Sequence, residues 1–494
     1  MSISITRLVV RNKNRFIYDV DLFSKDSDST DPITSIIIGK NGTGKSYLLR
    51  LIADILLYVE KEIHNEKKND KFKYSYFEFE YIIDGDIFLI IYKENELCLT
   101  GNGESIKPEK LVLPKKVIAI SLILNDKFLY SGNQDNSIYR YLGIKETSNA
   151  AWMNTIEKRL INMILKSNVK YNFLLKIANT LNFLGYKDNI IITYKIRKNL
   201  LSKSVNIGQL QEMTKKLRTG RSFRNYKVAE EKYQDARYLL SEIYEFFDKI
   251  ENYKFTDLIN IDNENLQINI NNANVVKFDE EINQYIDILE IFSNLRLIGS
   301  PKLSFIKRDI IDFEYTSSGE KHYLYSMISI ASEISCNSLI LIDEPEISLH
   351  PNWQSRYINN LKEMFNEYSS HFLIATHSHL LVSDLEPESS SLITVSNETD
   401  GELYDRKCIN EQYNTFGWSA ENILLNVFEM PSSRNYYLAN EIGEIISILS
   451  ENQGKINSNI KQRIKKIERI EKGLKDYDPL KEVILNILNK IEES

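Results

Sequence analysis

The sequence is poor in the residues that build disulfide frameworks and metal clusters. Its 494 residues include three cysteines and six histidines. Cys98, Cys336 and Cys408 stand too far apart for a disulfide frame or a cysteine metal site. This usage is typical of a reducing compartment, and we expect a cytoplasmic protein. No apolar run approaches the roughly 20 residues of a membrane span, and the first residues alternate like a strand, so we expect no membrane partner.

An excess of positive charge is also missing. The net charge of −7 excludes a uniformly basic nucleic-acid binder, so any DNA contact must come from a local patch. The densest basic stretch is 215–227, which carries six positive charges, no negative charge and two interleaved aromatic rings. Such a run is typical either of a DNA contact or of a solvated loop. The predicted DNA-contacting residues are Arg218, Arg221, Arg224 and Lys227.

The most informative stretch that is present reads Gly-Lys-Asn-Gly-Thr-Gly-Lys-Ser, at 39–46. It follows the apolar run 33–38, which predicts a buried strand, and precedes 47–63, where apolar residues recur at helical spacing. Strand, glycine loop and helix are the context of a phosphate-binding loop. Its glycines let backbone N–H groups surround a polyphosphate, Lys45 would reach the terminal phosphates, and Ser46 would offer its hydroxyl to Mg²⁺. The predicted nucleotide-binding residues are Gly39, Lys40, Asn41, Gly42, Thr43, Gly44, Lys45, Ser46 and Tyr47.

Two further apolar runs end in polar side chains. The run 338–342 predicts a strand that delivers Asp343 and Glu344 to the carboxyl edge of a sheet, where ligands of open α/β sheets bind. Asp343 is predicted to join the Mg²⁺ shell, and Glu344 to act as general base toward the attacking water. The second run ends at His377, whose imidazole would hydrogen-bond a γ-phosphate. The predicted catalytic residues are therefore Glu344, His377 and Lys45.

In this order the motifs resemble those of the ABC-type ATPases of the SMC, Rad50 and RecF kind. The similar segments are Walker A at 39–46, a signature loop at 317–320, Walker B at 339–344, a D-loop at 348–350 and a switch histidine at 377. The resemblance implies that Ser317, Ser318, Gly319 and Glu320 contact nucleotide, although the same residues would also make an ordinary helix N-cap. Ser318 stands where a glycine is usual. No glutamine is clearly the Q-loop residue that binds Mg²⁺, and Gln134 and Asn125 both remain candidates.

The resemblance implies an α/β fold: an ABC-type P-loop ATPase head with two lobes, a helical insertion between them and a C-terminal helical region. The expected parts are an N-terminal lobe at 1–145, a mainly helical insertion at 146–290, a C-terminal lobe at 291–400 and a helical oligomer or partner contact at 401–494. Two heads of this superfamily sandwich ATP. The resemblance therefore also implies ATP and Mg²⁺ as cofactors and a homodimer or higher homo-oligomer with composite ATP sites.

The segments 343–351 and 375–378 are similar to OLD-type and AAA ATPases of bacterial defence systems. Within that group, Septu and retron ATPases work with a separate HNH nuclease. The resemblance implies an ATPase subunit of an anti-phage defence complex, with a PtuB-like HNH nuclease as partner and DNA as target. The sequence carries no nuclease signature of its own. An SMC- or RecF-like DNA-repair ATPase without a nuclease partner is the alternative, and a transporter ATPase is less favoured.

Overall fold

Buried β-branched runs form the strands of the central sheet in a computed structural model of the chain. The described residues are 3–13, 15–23, 32–64, 71–123, 126–130, 137–144, 152–167, 172–197, 259–262, 264–271, 298–383, 385–397, 406–411, 415–428 and 479–492, with isolated positions in 208–293 and 430–474. The chain divides into two compact units, Met1–Gly417 and Trp418–Ser494.

The first unit contains every strand described. The strands are β1 (Ile3–Asn12), β2 (Arg15–Asp21), β3 (Ile33–Ile38), β4 (Tyr76–Ile83), β5 (Asp86–Lys93), β6 (Glu96–Gly101), β7 (Glu104–Ser105), β8 (Lys116–Ser121), β9 (Tyr139–Tyr141), β10 (Asn189–Lys195), β11 (Ile259–Asp262), β12 (Asn265–Asn271), β13 (Lys302–Ile306), β14 (Ile310–Asp312), β15 (Ser338–Asp343), β16 (His371–Ala375), β17 (Ser390–Ser396) and β18 (Lys407–Glu411). The helices with described bounds are α1 (Lys45–Ile63), α2 (Trp152–Ser167), α3 (Phe173–Phe183), α4 (Ser318–Glu333), α5 (Pro351–Gln354), α6 (Tyr357–Phe365), α7 (Ala420–Asn426) and α8 (Pro479–Glu492), of which α7 and α8 belong to the second unit.

The central sheet has the order β18-β17-β3-β16-β15-β8-β9. All of its neighbours are parallel except the edge pair β17 and β18. Every residue of β3, β15 and β16 is buried, as expected for parallel strands covered on both faces. Parallel pairing brings the carboxyl ends of these three strands to one edge. The phosphate-loop sequence follows β3, Asp343 and Glu344 lie at the end of β15, and His377 comes shortly after β16. The predicted α/β fold is confirmed.

An antiparallel sheet, β2-β1-β4-β5-β6-β7, covers the other side of α1. Alternate residues of β4 are buried, so this sheet presents one apolar face. That face, the central sheet and α1 share one hydrophobic core, to which α1 contributes Leu48, Leu49 and Ile52. The helix after the phosphate loop is therefore fixed from both sides.

The third sheet, β11-β12-β10-β13-β14, takes three of its strands from the segment 146–290, which is predicted to be mainly helical and of which large parts lie outside the described residues. Helix α2 is present as expected, but β10, β11 and β12 are strands. Strand β10 has no alternating polar residues to separate it from the helical spacing around it, and it is held by pairing with β12 and β13 on its two sides. Strands β13 and β14 form a hairpin, because the chain turns between them, where Lys307 N–H donates to the Asp309 carbonyl.

The central sheet also extends past residue 400, the expected end of the second lobe. Strand β18 pairs with β17 beyond that boundary, and the first unit continues to Gly417. In the second unit, Ile442, Ile467, Ile484 and Ile487 form a small buried cluster. No helix in the described ranges is long and apolar enough to cross a membrane.

His371, at the start of β16, gives the first unit a built-in sensitivity to acid. Its Nδ1 accepts from Ile5 N–H at 2.9 Å, and Nε2 lies 2.8 Å from Ser35 Oγ, so the neutral ring joins β1 to the central sheet. Complete burial lowers the pKa of His371 from 6.5 to about 3. The unfolded chain therefore binds the proton first, and stability is lost as the pH falls below 6.5.

Lowering the pH from 7 to 5 is expected to destabilise the protein by about 2 kcal/mol through His371 alone. Denaturant unfolding at the two pH values measures this loss. His371→Gln should unfold more easily at pH 7 and should lose that part of the pH dependence. An equal pH dependence in the variant would show that His371 does not take up the proton.

Candidate functional site

The phosphate-loop sequence joins β3 to α1 at the carboxyl edge of the central sheet, as predicted. Lys40, Asn41 and Gly42 are exposed at its tip, whereas Thr43 and Lys45 are buried. The Thr43 hydroxyl donates to the Lys40 carbonyl at 2.9 Å and closes the loop on itself. Together the residues 39–46 form a backbone concavity at the N-terminus of α1, the arrangement that binds phosphate groups.

Lys45 points into this loop. Its ammonium donates to the carbonyls of Gly39 at 2.9 Å and Lys40 at 3.3 Å, and it lies 2.7 Å from His377 Nε2. Burial lowers the pKa of Lys45, while the neighbouring carboxylates, Glu344 first among them, raise it. An ammonium has no lone pair, so Nε2 of His377 accepts this bond and the imidazole is neutral, with its proton on Nδ1. Burial and the charge of Lys45 both lower the pKa of His377, which favours that neutral form.

Ser46 and Asp343 meet although they stand 297 positions apart in the sequence. The Ser46 hydroxyl donates to Asp343 Oδ1 at 2.8 Å. Burial raises the pKa of Asp343 to about 7, against the opposing effect of the Ser46 hydrogen bond. A hydroxyl and a carboxylate are the hard oxygen ligands that Mg²⁺ prefers, and a cation would offset the cost of burying this carboxylate. The pair therefore fits the predicted Mg²⁺ ligands.

Glu344 follows the last residue of β15 with a backbone φ of 50°, in the left-handed region that few non-glycine residues adopt. Its N–H donates to the Ala375 carbonyl at 2.8 Å, which anchors the turn to β16. The side chain leaves the sheet toward His377, with Oε1 3.5 Å from Nε2. Strained backbone of this kind is concentrated at functional sites. The three predicted catalytic residues, Lys45, Glu344 and His377, thus lie around one point at the edge of the sheet.

Glu346 is a residue of this site that the sequence reading missed. Its Oε1 accepts from the backbone N–H of His377 at 2.6 Å. Burial raises the pKa of the Glu346 carboxyl group, with the His377 hydrogen bond opposing it. Glu346 therefore fixes the backbone that carries the switch histidine. The only signal for it in the sequence is a second glutamate two positions after Glu344.

Gln354 was also missed, and it ties the D-loop segment to the switch-histidine segment. Its amide donates to the Leu349 carbonyl at 3.0 Å, and its carbonyl oxygen accepts from the Ser378 hydroxyl at 2.7 Å. His322, on α4, contacts the residue directly before the D-loop, with Nδ1 3.0 Å from the Ile347 carbonyl. Helix α4 and the loop that carries His377 are both attached to residues 346–349.

The signature sequence begins α4 with a complete capping box. The Ser317 hydroxyl accepts from Glu320 N–H at 3.2 Å, and the Glu320 carboxylate accepts from Ser317 N–H at 2.8 Å. A Cβ on Gly319 would lie 2.4 Å from the Ser348 carbonyl oxygen, so only glycine fits against the D-loop there. None of the described hydrogen bonds joins Ser317, Ser318, Gly319 or Glu320 to the phosphate loop. A nucleotide contact from these four residues stays a prediction.

The remaining candidate residues lie outside the described part of the chain. These are the possible Q-loop residues Gln134 and Asn125 and the predicted DNA-contacting residues Arg218, Arg221, Arg224 and Lys227. Close to Asn125, however, Asp126 is buried, and its charge raises the pKa of Asp343. Asp126 accepts from Phe128 N–H at 2.9 Å and from the Tyr141 hydroxyl. Asp126 therefore lies near enough to Asp343 for their charges to interact.

One family model matches the part of the chain that carries much of this site. The model of the family described as "AAA domain, putative AbiEii toxin, Type IV TA system" matches residues 194–383. That range contains the signature sequence, Asp343, Glu344 and His377. It does not include the phosphate loop, which lies in the earlier part of the chain.

Three curated relatives are similar to longer or shorter parts of the chain. Septu protein PtuA of Bacillus thuringiensis is 30% identical over 185 residues, which cover 32% of this chain and 46% of PtuA. The retron Vc95 probable ATPase of Vibrio cholerae serotype O1 biovar El Tor is 25% identical over 85% of this chain and 79% of its own length. Endonuclease GajA of Bacillus cereus (strain HuB5-5) is 25% identical over 76% of this chain and 56% of GajA. The chain thus spans about half the length of PtuA and of GajA.

Among solved structures, the SMC head domain from Thermotoga maritima aligns with 83% of this chain and 99% of its own, at 11% identity and a TM-score of 0.34. That score is low, and the likeness carries no argument about function. The chain is thus similar over residues 194–383 to an AAA-domain family, and its sequence relatives include Septu protein PtuA, the Vc95 retron probable ATPase and endonuclease GajA.

Proposed function

We propose that this protein binds Mg²⁺ and ATP and hydrolyses ATP to ADP and phosphate at the edge formed by β3, β15 and β16. The observation that carries the proposal is the 2.8 Å hydrogen bond between Ser46 and Asp343, because it joins the phosphate loop to the acidic strand end. A Mg²⁺ ion held by these two residues would neutralise charge that develops on the phosphates. Glu344 would take the proton of the attacking water, and the His377 imidazole would form a hydrogen bond with the γ-phosphate.

Metal removal tests this proposal. The purified protein should release phosphate from ATP in the presence of Mg²⁺, and excess chelator should abolish the release. Restoring Mg²⁺ should restore it, whereas Ca²⁺, which takes more ligands at longer distances, should support it poorly. Phosphate release that is indifferent to the chelator would contradict the assigned roles of Ser46 and Asp343.

We further propose that two or more copies of the chain complete each ATP site. Ser317–Glu320 make no described contact with the phosphate loop of their own chain, which is what a contact made in trans requires. Mass measurement with and without ATP tests this. A larger assembly in the presence of ATP supports the composite site, and an unchanged monomer contradicts it.

The biological role that we propose is the ATPase subunit of an anti-phage defence complex in the cytoplasm, working with a PtuB-like HNH nuclease on DNA. The support is the similarity to PtuA over 185 residues and to the Vc95 ATPase over 447 residues. Co-purification with the product of a neighbouring gene tests the partner. A DNA-repair ATPase without a nuclease partner is the alternative, and capture of no nuclease would favour it.

Because one relative is named endonuclease GajA, whether this chain cleaves DNA needs a test of its own. We assign DNA cleavage to the partner subunit. The purified chain should therefore leave plasmid and linear DNA intact with Mg²⁺ or Mn²⁺, with and without ATP. Cleavage by the chain alone, at a rate that follows the protein through purification, would overturn this assignment and favour a nuclease of its own.

A further inference from the structure

Arg406 lies against the phosphate loop, although it comes from the far end of the first unit, directly before β18. Its guanidinium carbon is 5.0 Å from the centre of the Tyr18 ring and 5.8 Å from that of Tyr47. A Cβ built on Gly44 would lie 2.4 Å from Arg406 Nε and 2.6 Å from the Tyr18 hydroxyl. The guanidinium therefore packs on the backbone of the loop where α1 begins.

The two tyrosine rings on which the guanidinium packs are held in place by hydrogen bonds of their hydroxyl groups. The Tyr18 side chain is fully buried and its hydroxyl donates to the Gly44 carbonyl at 2.8 Å. The Tyr47 hydroxyl lies 2.6 Å from that of Tyr74. Arg406 itself is half-buried, so part of it stays accessible. Stacking uses a face of the guanidinium and leaves N–H groups at its edge able to bind a further acceptor.

The position is electrostatically unfavourable for a cation by itself. A helix N-terminus carries partial positive charge and attracts anions, not cations. Lys45 already adds one positive charge at this end of α1, and Arg406 adds a second. Within the described residues Arg406 contacts aromatic rings and forms no ion pair with a carboxylate. Carboxylates, Glu344 first among them, already face Lys45, but Arg406 has no such partner among the described residues, so an anion bound at the loop would stabilise it there.

We propose that Arg406 binds the α-phosphate of the nucleotide, on the side of the loop away from Lys45. This proposal rests on the proposed ATP site. Lys45 reaches the Gly39 and Lys40 carbonyls and His377, which marks the γ-phosphate end of the site. Arg406 lies instead beside Gly44 and Tyr47, at the opposite end of the loop. A triphosphate that follows the loop has its α-phosphate at this end.

Calorimetric binding of ATP and of inorganic tripolyphosphate, each with Mg²⁺, tests the proposal. Arg406→Gln should weaken both by roughly 10- to 100-fold, the loss expected when a charge-assisted hydrogen bond is removed. Arg406→Lys keeps the charge but not the planar set of N–H donors. Its affinity for each ligand should fall between those of the unaltered protein and of Arg406→Gln. Lys93→Gln removes an exposed positive charge from the end of β5 and should bind as the unaltered protein does.

The outcomes separate the inference from the function on which it rests. If the unaltered protein does not bind ATP, the proposed function is wrong. If it binds and Arg406→Gln binds equally well, only the role of Arg406 is wrong. If Arg406→Gln binds ATP more weakly but tripolyphosphate as tightly as before, Arg406 contacts the base or sugar, and the proposed phosphate contact is wrong. The same thermal unfolding midpoint in Arg406→Gln and Lys93→Gln would show that weaker binding does not come from misfolding.

Discussion

Replacing Glu344 by glutamine is expected to abolish ATP turnover while ATP binding is retained. Glutamine keeps the size of the side chain and can occupy the same backbone turn, but its amide cannot accept a proton from water. The carboxylate lies 3.5 Å from His377 Nε2, at the point where Lys45 and His377 also meet. Loss of a general base lowers a rate by about 10²- to 10⁴-fold.

Steady-state phosphate release and equilibrium ATP binding measure the two halves of this prediction. Glu109→Gln is a matched control, because it makes the same substitution at an exposed glutamate in the turn before β8. The control should hydrolyse ATP at the rate of the unaltered protein. If Glu344→Gln hydrolyses ATP as fast as the control, Glu344 is not the base, and another acceptor must take the proton.

Glu344→Gln also tests whether two or more copies of the chain complete each ATP site. When hydrolysis is blocked and binding is not, ATP-bound copies should accumulate in the assembled state. We therefore expect Glu344→Gln to show a larger mass with ATP than the unaltered protein does after it has consumed its ATP. The alternative of a site complete within one chain predicts a monomer in both cases.

The parts of the site that the sequence predicts are those set by local motifs. Residues 39–46 form their loop because a buried strand, a glycine-rich turn and an amphipathic helix follow each other directly. Asp343 and His377 lie near that loop because each ends a buried apolar run, and parallel strands end at one edge. Local pattern and sheet geometry together therefore place Ser46 next to Asp343, across 297 positions.

The parts that the sequence does not predict depend on contacts between distant segments. No motif assigns a role to Glu346, Gln354 or Arg406, although Glu346 lies inside the segment 343–351. Each acquires its role only by meeting His377, Ser378 or Gly44 in the folded chain. Strand β10 was missed for a related reason. Its short apolar run stands between helical segments, and apolar spacing alone does not distinguish a buried strand from a buried helical turn.

The backbone contact at the start of the phosphate loop predicts a large loss of both stability and binding for Gly39→Ala. Gly39 has a φ of 150°, and a Cβ there would lie 2.1 Å from the Val395 carbonyl oxygen. That oxygen belongs to β17, the parallel neighbour of β3. Because it is a backbone atom between two paired strands, it cannot turn aside as a side chain does. The added methyl must push β3 and β17 apart and carry the loop with them.

We expect Gly39→Ala to destabilise the protein by about 3 kcal/mol or more, combining overpacking with backbone strain, and to abolish ATP binding. Gly42→Ala is the matched control. Gly42 also has a positive φ, 81°, but nothing lies within 4 Å of the position of its Cβ. It should cost only the left-handed strain of about 1–2 kcal/mol. Thermal unfolding and ATP binding compare the two. Equal losses would mean that backbone conformation alone decides them, whereas a much larger loss for Gly39→Ala locates the constraint in the contact between β3 and β17 that positions the phosphate loop.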